Sequence, residues 1–168
     1  MSPSLARAVH ASAVGNLLLE ASEIGITRVD FTTDAPAPVT GTTLADTHIA
    51  CAITQLDEYL DGTRREFTVP LDRRAMSAFD RQVLEALETT TPYGETTTYG
   101  TLARHLDRPL ADVRKIGGAL SRNPFLILVA CHRVVAADGA LTGYAGGLPA
   151  KRALLDLESP DLLLPLAL

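Results

Sequence analysis

The chain has 168 residues, 46% of them hydrophobic and 21% charged, with no Trp, a composition that builds a folded core and excludes disordered, collagen-like and coiled-coil chains. That length holds one ordinary domain or two small ones, since cores are hard to build much below about 60 residues. The net charge of −5 is uneven: residues 1–72 carry 4 basic and 10 acidic side chains and residues 73–168 carry 11 and 10, so a polyanion would find its cations in the second half.

From Ala13 to Phe31 apolar blocks are separated at Gly15 and Gly25, the pattern of strands joined by tight turns in a small antiparallel sheet. The Pro-, Thr- and Gly-rich residues 32–43 predict a loop. The run HIACAITQLDEYLDG repeats apolar residues at helical spacing until Gly62. REFTVPLD alternates as a short strand, and the chain crosses into a second, helical unit near residue 74. The expectation is therefore two domains, 1–74 and 75–168, in a mixed α/β (α+β) fold.

In the second unit Ser77 can cap a helix presenting Phe79, Val83, Leu84 and Leu87 on one face. A short helix from Tyr99 to Leu106, a turn at DRP, and a helix opened by Pro109 and lined by Leu110, Val113, Ile116 and Leu120 make a helix-turn-helix. FLILVA, residues 125–130, reads as a buried strand or extended segment leading into Cys131. Pro149 to Leu157 predicts a last helix, followed by an apolar tail expected to pack on the surface or fray. The stretch Asn123 to Ala137 is nearly uncharged but broken by His132 and Arg133, and it is shorter than the roughly 20 apolar residues of a membrane span. No transmembrane helix is expected. The first residues lack the pattern of an export signal, so the expected compartment is the cytoplasm, where Cys51 and Cys131 would stay unpaired.

Cys131 is a candidate nucleophile, with a small buried hydrophobe as the plainer reading of any lone cysteine. His132 and Arg133 beside it could favour a thiolate, the form in which cysteine is a nucleophile. On an extended segment adjacent side chains point to opposite faces, so His132 would reach the thiol through a water rather than directly. A metal site is disfavoured because CH offers no second ligand at metal spacing and His10, His48 and His105 are scattered.

The order FDRQVLEAL, PYGETTTYGTLA, the helix with Arg114 and Gly117-Gly118, Asn123-Pro124, CHRVV, GALTGYAGGL and KRALLDLE resembles the O6-alkylguanine-DNA alkyltransferases, also called methylated-DNA–protein-cysteine methyltransferases. These elements cover Phe79 to Glu158 almost continuously, with a weaker match over EYLDGTRREFTVPLD and the N-terminal hairpin. The resemblance implies repair of O6-methylguanine in double-stranded DNA by one irreversible alkyl transfer to Cys131. It implies that Glu158 holds His132, that His132 deprotonates Cys131 through a water, and that Asn123 ties the cysteine turn to the helix-turn-helix. Tyr99 would meet guanine N3, and Val134, Tyr144, Ala145 and Gly146 would shape the pocket, with the Ala145 N–H facing O6. Arg114 would fill the gap left by the flipped base, while Ala111, Lys115, Gly117 and Gly118 lie against the minor groove.

The sequence departs from the family at Ala130 and Leu126, where prolines are usual, at Leu84, where Trp is usual, and at Asp112 and Val113, where small residues are common. An exposed Asp112 facing phosphates should weaken DNA binding. No cofactor, no metal and no membrane partner is expected, and the protein is expected to be a monomer. O4-alkylthymine is left open as a second substrate. The rival readings are a non-catalytic lesion reader, which the presence of Cys131 disfavours, and a thiol hydrolase, which would need a direct Cys–His contact.

Overall fold

A computed structural model describes residues 5–159; the apolar tail beyond Ser159 lies outside the described residues. The chain divides into two compact units, Met1–Met76 with Pro124–Leu128, and Ser77–Asn123 with Val129–Leu168.

The first unit is an antiparallel three-stranded sheet, β1 (Ala6–Ser12), β2 (Gly15–Ala21) and β3 (Ile26–Phe31), with helix α1 (Leu44–Leu60) packed on it. β1 lies ahead of the predicted hairpin. It pairs with β2 along its whole length, from Ala6 opposite Ala21 to Ser12 opposite Gly15. Gly15, at φ 122°, accepts the Ser12 hydroxyl through its carbonyl at 2.6 Å, closing a tight turn that a side chain would strain. α1 starts at Leu44 rather than near His48 because Thr43 and Asp46 form a capping box that satisfies its first free N–H groups. Ile49, Ala52, Leu56 and Tyr59 bury one stripe of it.

REFTVPLD is not a strand. Only Leu71 bridges Ile26, because the Gln55 side chain accepts the N–H groups of Thr68 at 2.9 Å and Val69 at 3.2 Å in place of a neighbouring strand. FLILVA is buried as expected, but it also is not a strand. Phe125 makes a single bridge to Val29, after which the chain turns through Ile127 at φ 71°. A β-branched residue in the left-handed region carries strain on the order of 1–3 kcal/mol, so the conformation is held by its packing.

The second unit contains α2 (Ala78–Thr90), β4 (Thr97–Thr98), α3 (Tyr99–His105), α4 (Val113–Ser121), β5 (Val134–Val135) and α5 (Leu148–Glu158). Ser77 caps α2 by accepting the Asp80 N–H, and Val83, Leu84 and Leu87 bury its inner face. α3 and α4 form the helix-turn-helix, turning at Asp107 with φ 52°. Pro109 opens only a 3-10 turn, Leu110–Asp112, and the α-helix begins after it at Val113. Arg122 grips Asp80 with two hydrogen bonds of 2.8 and 2.7 Å, fastening the end of α4 to α2. β4 and β5 pair in parallel, Thr97 with Val134 and Thr98 with Val135. These residues are too few to give a strand signal in the sequence.

Candidate active site and DNA-facing helix

Cys131, His132 and Arg133 form a 3-10 turn rather than an extended segment. The Cys131 N–H donates to the Val129 carbonyl at 2.8 Å and the Arg133 N–H to that of Ala130 at 3.0 Å, which folds the backbone before β5. Successive side chains on such a turn fan out by about 120°, so Cys131 and His132 still diverge. Asn123, buried at the end of α4, donates its amide to the Val129 carbonyl at 3.0 Å and takes its own backbone bond to Leu120 at 3.1 Å. It joins the helix-turn-helix to the turn that carries the thiol.

The Cys131 residue is 8% exposed. Burial pushes its thiol pKa up, against the opposing pull of the Asn123 side-chain hydrogen bond and the Lys151 charge. Arg133 places Nε 2.8 Å from Glu158 Oε2 and one terminal nitrogen 2.8 Å from Oε1. Its other terminal nitrogen donates to the Thr91 carbonyl at 2.9 Å.

His132 is fully buried and its Nε2 lies 2.9 Å from Glu158 Oε1. Burial lowers the pKa of the imidazole, the carboxylate of Glu158 raises it, and the charges of Arg133 and Lys151 lower it further. Glu158, 2% exposed at the end of α5, thus shares one carboxylate between a guanidinium and an imidazole whose pKa burial pushes down. A neutral imidazole oriented by a carboxylate can accept a proton, which is what a buried thiol of raised pKa needs in order to react.

Two further side chains were not foreseen as site residues. Lys151 of α5, 1% exposed, donates from Nζ to the Val134 carbonyl at 2.6 Å and to the Thr142 carbonyl at 2.9 Å. Thr142 in turn pairs its hydroxyl with that of Tyr99 at 2.9 Å. Tyr99, Gly117, Val113, Arg114, Ala136 and Thr142 are among the residues around an open cavity of about 920 Å³. Tyr99 opens α3, and an added carbon on Gly117 would sit 3.7 Å from its ring, in ordinary contact.

Of the predicted pocket residues, Val134 is buried in β5, and the Tyr144 ring stands edge-on to His132 with centroids 6.4 Å apart. Ala145 is exposed and Gly146 half-buried, in a turn closed by the Gly147 N–H donating to the Tyr144 carbonyl at 2.9 Å. On the helix-turn-helix, Ala111, Arg114 and Lys115 are exposed and Gly117 and Gly118 are half-buried. Arg114 has no carboxylate partner among the described residues. It borders both the larger cavity and a second one of about 570 Å³ ringed by Arg108, Lys115 and Arg122.

Asp112 does not stand alone toward solvent as predicted. Its carboxylate lies 3.2 Å from Arg108 and 3.2 Å from Lys115, so its charge is spent on two cations of the same face. Cys51 is exposed, with its sulfur 3.4 Å from the Gln55 amide. Among the described residues no group of three His, Cys, Asp or Glu could hold a metal ion, and no helix is long and apolar enough to cross a membrane.

Residues 78–160 match the family described as 6-O-methylguanine DNA methyltransferase, DNA binding domain, and residues 5–73 match its ribonuclease-like domain. A methylated-DNA–protein-cysteine methyltransferase of Mycobacterium leprae is 46% identical over 117 residues, which are 70% of this chain and 69% of that protein. The protein of the same name from Mycobacterium tuberculosis is 41% identical over 154 residues, 92% of this chain and 85% of that one. The crystal structure of Mycobacterium tuberculosis O6-methylguanine methyltransferase superposes with a TM-score of 0.79 at 36% identity, covering 98% of this chain and 97% of that one. The structure of Mycobacterium tuberculosis OGT in complex with DNA gives 0.76 at 38% identity, covering 92% and 95%.

Proposed function

The chain belongs to the 6-O-methylguanine DNA methyltransferase family, whose members repair DNA by methyl transfer to a cysteine, and from that premise we propose that Cys131 is the acceptor and O6-alkylguanine in double-stranded DNA the substrate. The observation that carries this reading is the buried thiol held by Asn123 in the same turn as a buried His132 whose Nε2 lies on Glu158, a carboxylate that Arg133 grips in turn. On this reading the second unit is the DNA-binding and alkyl-transfer domain, and the first the N-terminal sheet-and-helix domain.

His132 takes the Cys131 proton through a bridging water, and the thiolate attacks the alkyl carbon. The new S–C bond forms as the C–O6 bond breaks, the electron pair passes to the base, and the base takes up a proton to become guanine. The Tyr99 hydroxyl donates to guanine N3, where negative charge develops. Val134, Tyr144, Ala145 and Gly146 enclose the flipped base, with the Ala145 N–H directed at O6. Extrusion costs a few kcal/mol, and Arg114 offsets it by occupying the vacancy. Ala111, Lys115, Gly117 and Gly118 keep that helix slim and cationic against the minor groove. The thioether is stable, so each molecule acts once. It works as a monomer in the cytoplasm, and the unpaired Cys51 and Cys131 suit a reducing compartment.

Incubation with a duplex containing O6-methylguanine tests this by mass. One methyl group should appear per molecule, mapped to Cys131, and Cys131→Ala should abolish the gain while lesion binding survives. Methyl gain that persists in Cys131→Ala would sink the assignment.

A further inference from the structure

Leu110, Val113, Ile116 and Leu120 form one apolar stripe in the sequence, and a continuous helix would bury all four. Ile116 and Leu120 are buried and Val113 is half-buried, but Leu110 is 64% exposed, the most exposed large apolar side chain among the described residues. The cause lies in the backbone. Asp112 donates its N–H to the Pro109 carbonyl at 2.9 Å and holds Arg108 and Lys115 on its carboxylate, so residues 110–112 wind as a 3-10 turn and the α-helix starts only at Val113. The tighter winding, about 120° per residue in place of about 100°, swings Leu110 out of the stripe.

An exposed leucine alone needs no explanation, but the surroundings of this one are specific. It borders the open cavity of about 920 Å³ together with Tyr99, Val113 and Arg114. On its inner side Cδ2 lies over Gly100, where an added carbon would sit 3.5 Å away, and the rest of the side chain is open to solvent. Arg104 and Arg114, both exposed, stand on the same rim. An apolar tip between two guanidinium groups is a poor match for an apolar protein groove. It suits a ligand with an anionic outside and apolar faces within, which describes a nucleic-acid duplex with its phosphates, deoxyriboses and stacked bases. The rim also lies wholly inside residues 78–160, the part of the chain matched by the DNA binding domain of the family, and is continuous with the helix that carries Arg114.

We propose that Leu110 is an apolar wedge, which enters the minor groove one turn ahead of Arg114 and packs on the deoxyribose and base faces beside the extruded nucleotide. The proposal rests on the reading of duplex DNA as substrate. The two side chains divide the work. Arg114 occupies the vacancy with a polar group, while Leu110 covers apolar faces that loss of stacking would leave in water.

The test compares the unsubstituted full chain with Leu110→Ala, a change at a position that supports no core, and with Leu110→Met, which keeps an apolar side chain of similar length. Three quantities are measured: transfer from an O6-methylguanine duplex at saturating protein, reaction with the free modified base, and the fluorescence of a duplex carrying 2-aminopurine in place of the lesion, which brightens when that base unstacks. In Leu110→Ala transfer from duplex should fall by about tenfold and the brightening should fall with it, while reaction with the free base is unchanged. Leu110→Met should restore both. The dependence of duplex affinity on salt should keep its slope in all three proteins, because no phosphate contact is lost.

Unchanged transfer and brightening in Leu110→Ala would overturn the proposal. Equal losses on duplex and free base would overturn it too, by making Leu110 a wall of the base pocket, and a shallower salt slope would do so by making its contact one with the charged backbone. Failure of the unsubstituted protein to take a methyl group would instead count against the acceptor reading, and the 2-aminopurine comparison would still decide the wedge.

Discussion

Arg133 holds Glu158 by two hydrogen bonds of 2.8 Å on the same carboxylate that His132 Nε2 approaches at 2.9 Å. The histidine therefore shares its carboxylate with a permanent cation. Two substitutions should move the transfer reaction in opposite senses on the pH axis. Glu158 raises the pKa of His132 and Arg133 lowers it. In Glu158→Gln the acid limb of the rate profile should shift to lower pH, and the maximal rate should fall by about a hundredfold as the base weakens and loses its orientation. In Arg133→Met the limb should shift to higher pH, because His132 then has the carboxylate to itself. Removing one partner of a buried pair should also lower stability by about 3 kcal/mol. Rate profiles that shift in the same direction for both variants would remove the carboxylate from control of the histidine.

The buried imidazole also makes stability depend on pH in a defined window. Its folded pKa is depressed, so below the ordinary value of about 6.5 the unfolded chain binds a proton that the folded chain refuses. Stability is full above that value and should fall with a limiting slope of about 1.4 kcal/mol per pH unit as the pH drops toward the folded pKa. Asp72, held ionised chiefly by Arg74, and Asp80, held ionised by Arg122, act lower. Their contribution is present above the ordinary carboxylate value of about 3.9 and is lost below it. Denaturant melts of His132→Gln should therefore lose the slope between pH 6.5 and 5 and keep the one below about 4. An unchanged slope in the upper window would assign it to another group.

Thr142 enters the site through its hydroxyl, 2.9 Å from that of Tyr99. Thr142→Val keeps the shape and the backbone carbonyl that Lys151 uses, but leaves the tyrosine without this partner. Transfer from duplex should slow by about tenfold, the order of one lost neutral hydrogen bond, while iodoacetamide alkylation of Cys131 is unaffected. A matching loss in both reactions would show that the threonine supports the thiol rather than the tyrosine.

What could be read from the sequence divides along physical lines. α2 and the hairpin were legible because apolar periodicity and a cap or turn residue agree there, as at Ser77 and Gly15, and α4 was legible from its periodicity alone, with its start displaced to Val113. β1 was missed because ARAVHAS is alanine-rich and alternates weakly, and REFTVPLD misled because Gln55 replaces the strand that its alternation suggested. Cys131, His132, Glu158 and Asn123 could be named from family resemblance, but Arg133, Lys151 and Thr142 owe their place to partners distant in sequence. Lys151 did leave one trace. It stands three and seven residues before Leu154 and Glu158, on the buried face of α5, where a solvated lysine does not belong.

The recognition helix separates two effects that a loss of affinity alone would merge. Asp112 neutralises Arg108 and Lys115 at 3.2 Å each, next to the exposed Arg114. Asp112→Ala should free both cations for phosphate, tighten DNA binding about threefold at low salt and steepen its salt dependence, an advantage that fades as ionic strength rises. Arg114→Ala should act differently. Arg114 is bound to no carboxylate among the described residues and borders the cavity beside Tyr99 and Gly117, so its loss should slow repair of duplex while leaving reaction with a free modified base nearly intact, because only the duplex reaction has to extrude a base and fill its place. Equal losses on duplex and free base would show that Arg114 supports the pocket rather than the flip, and an unchanged affinity in Asp112→Ala would turn that face of the helix away from DNA.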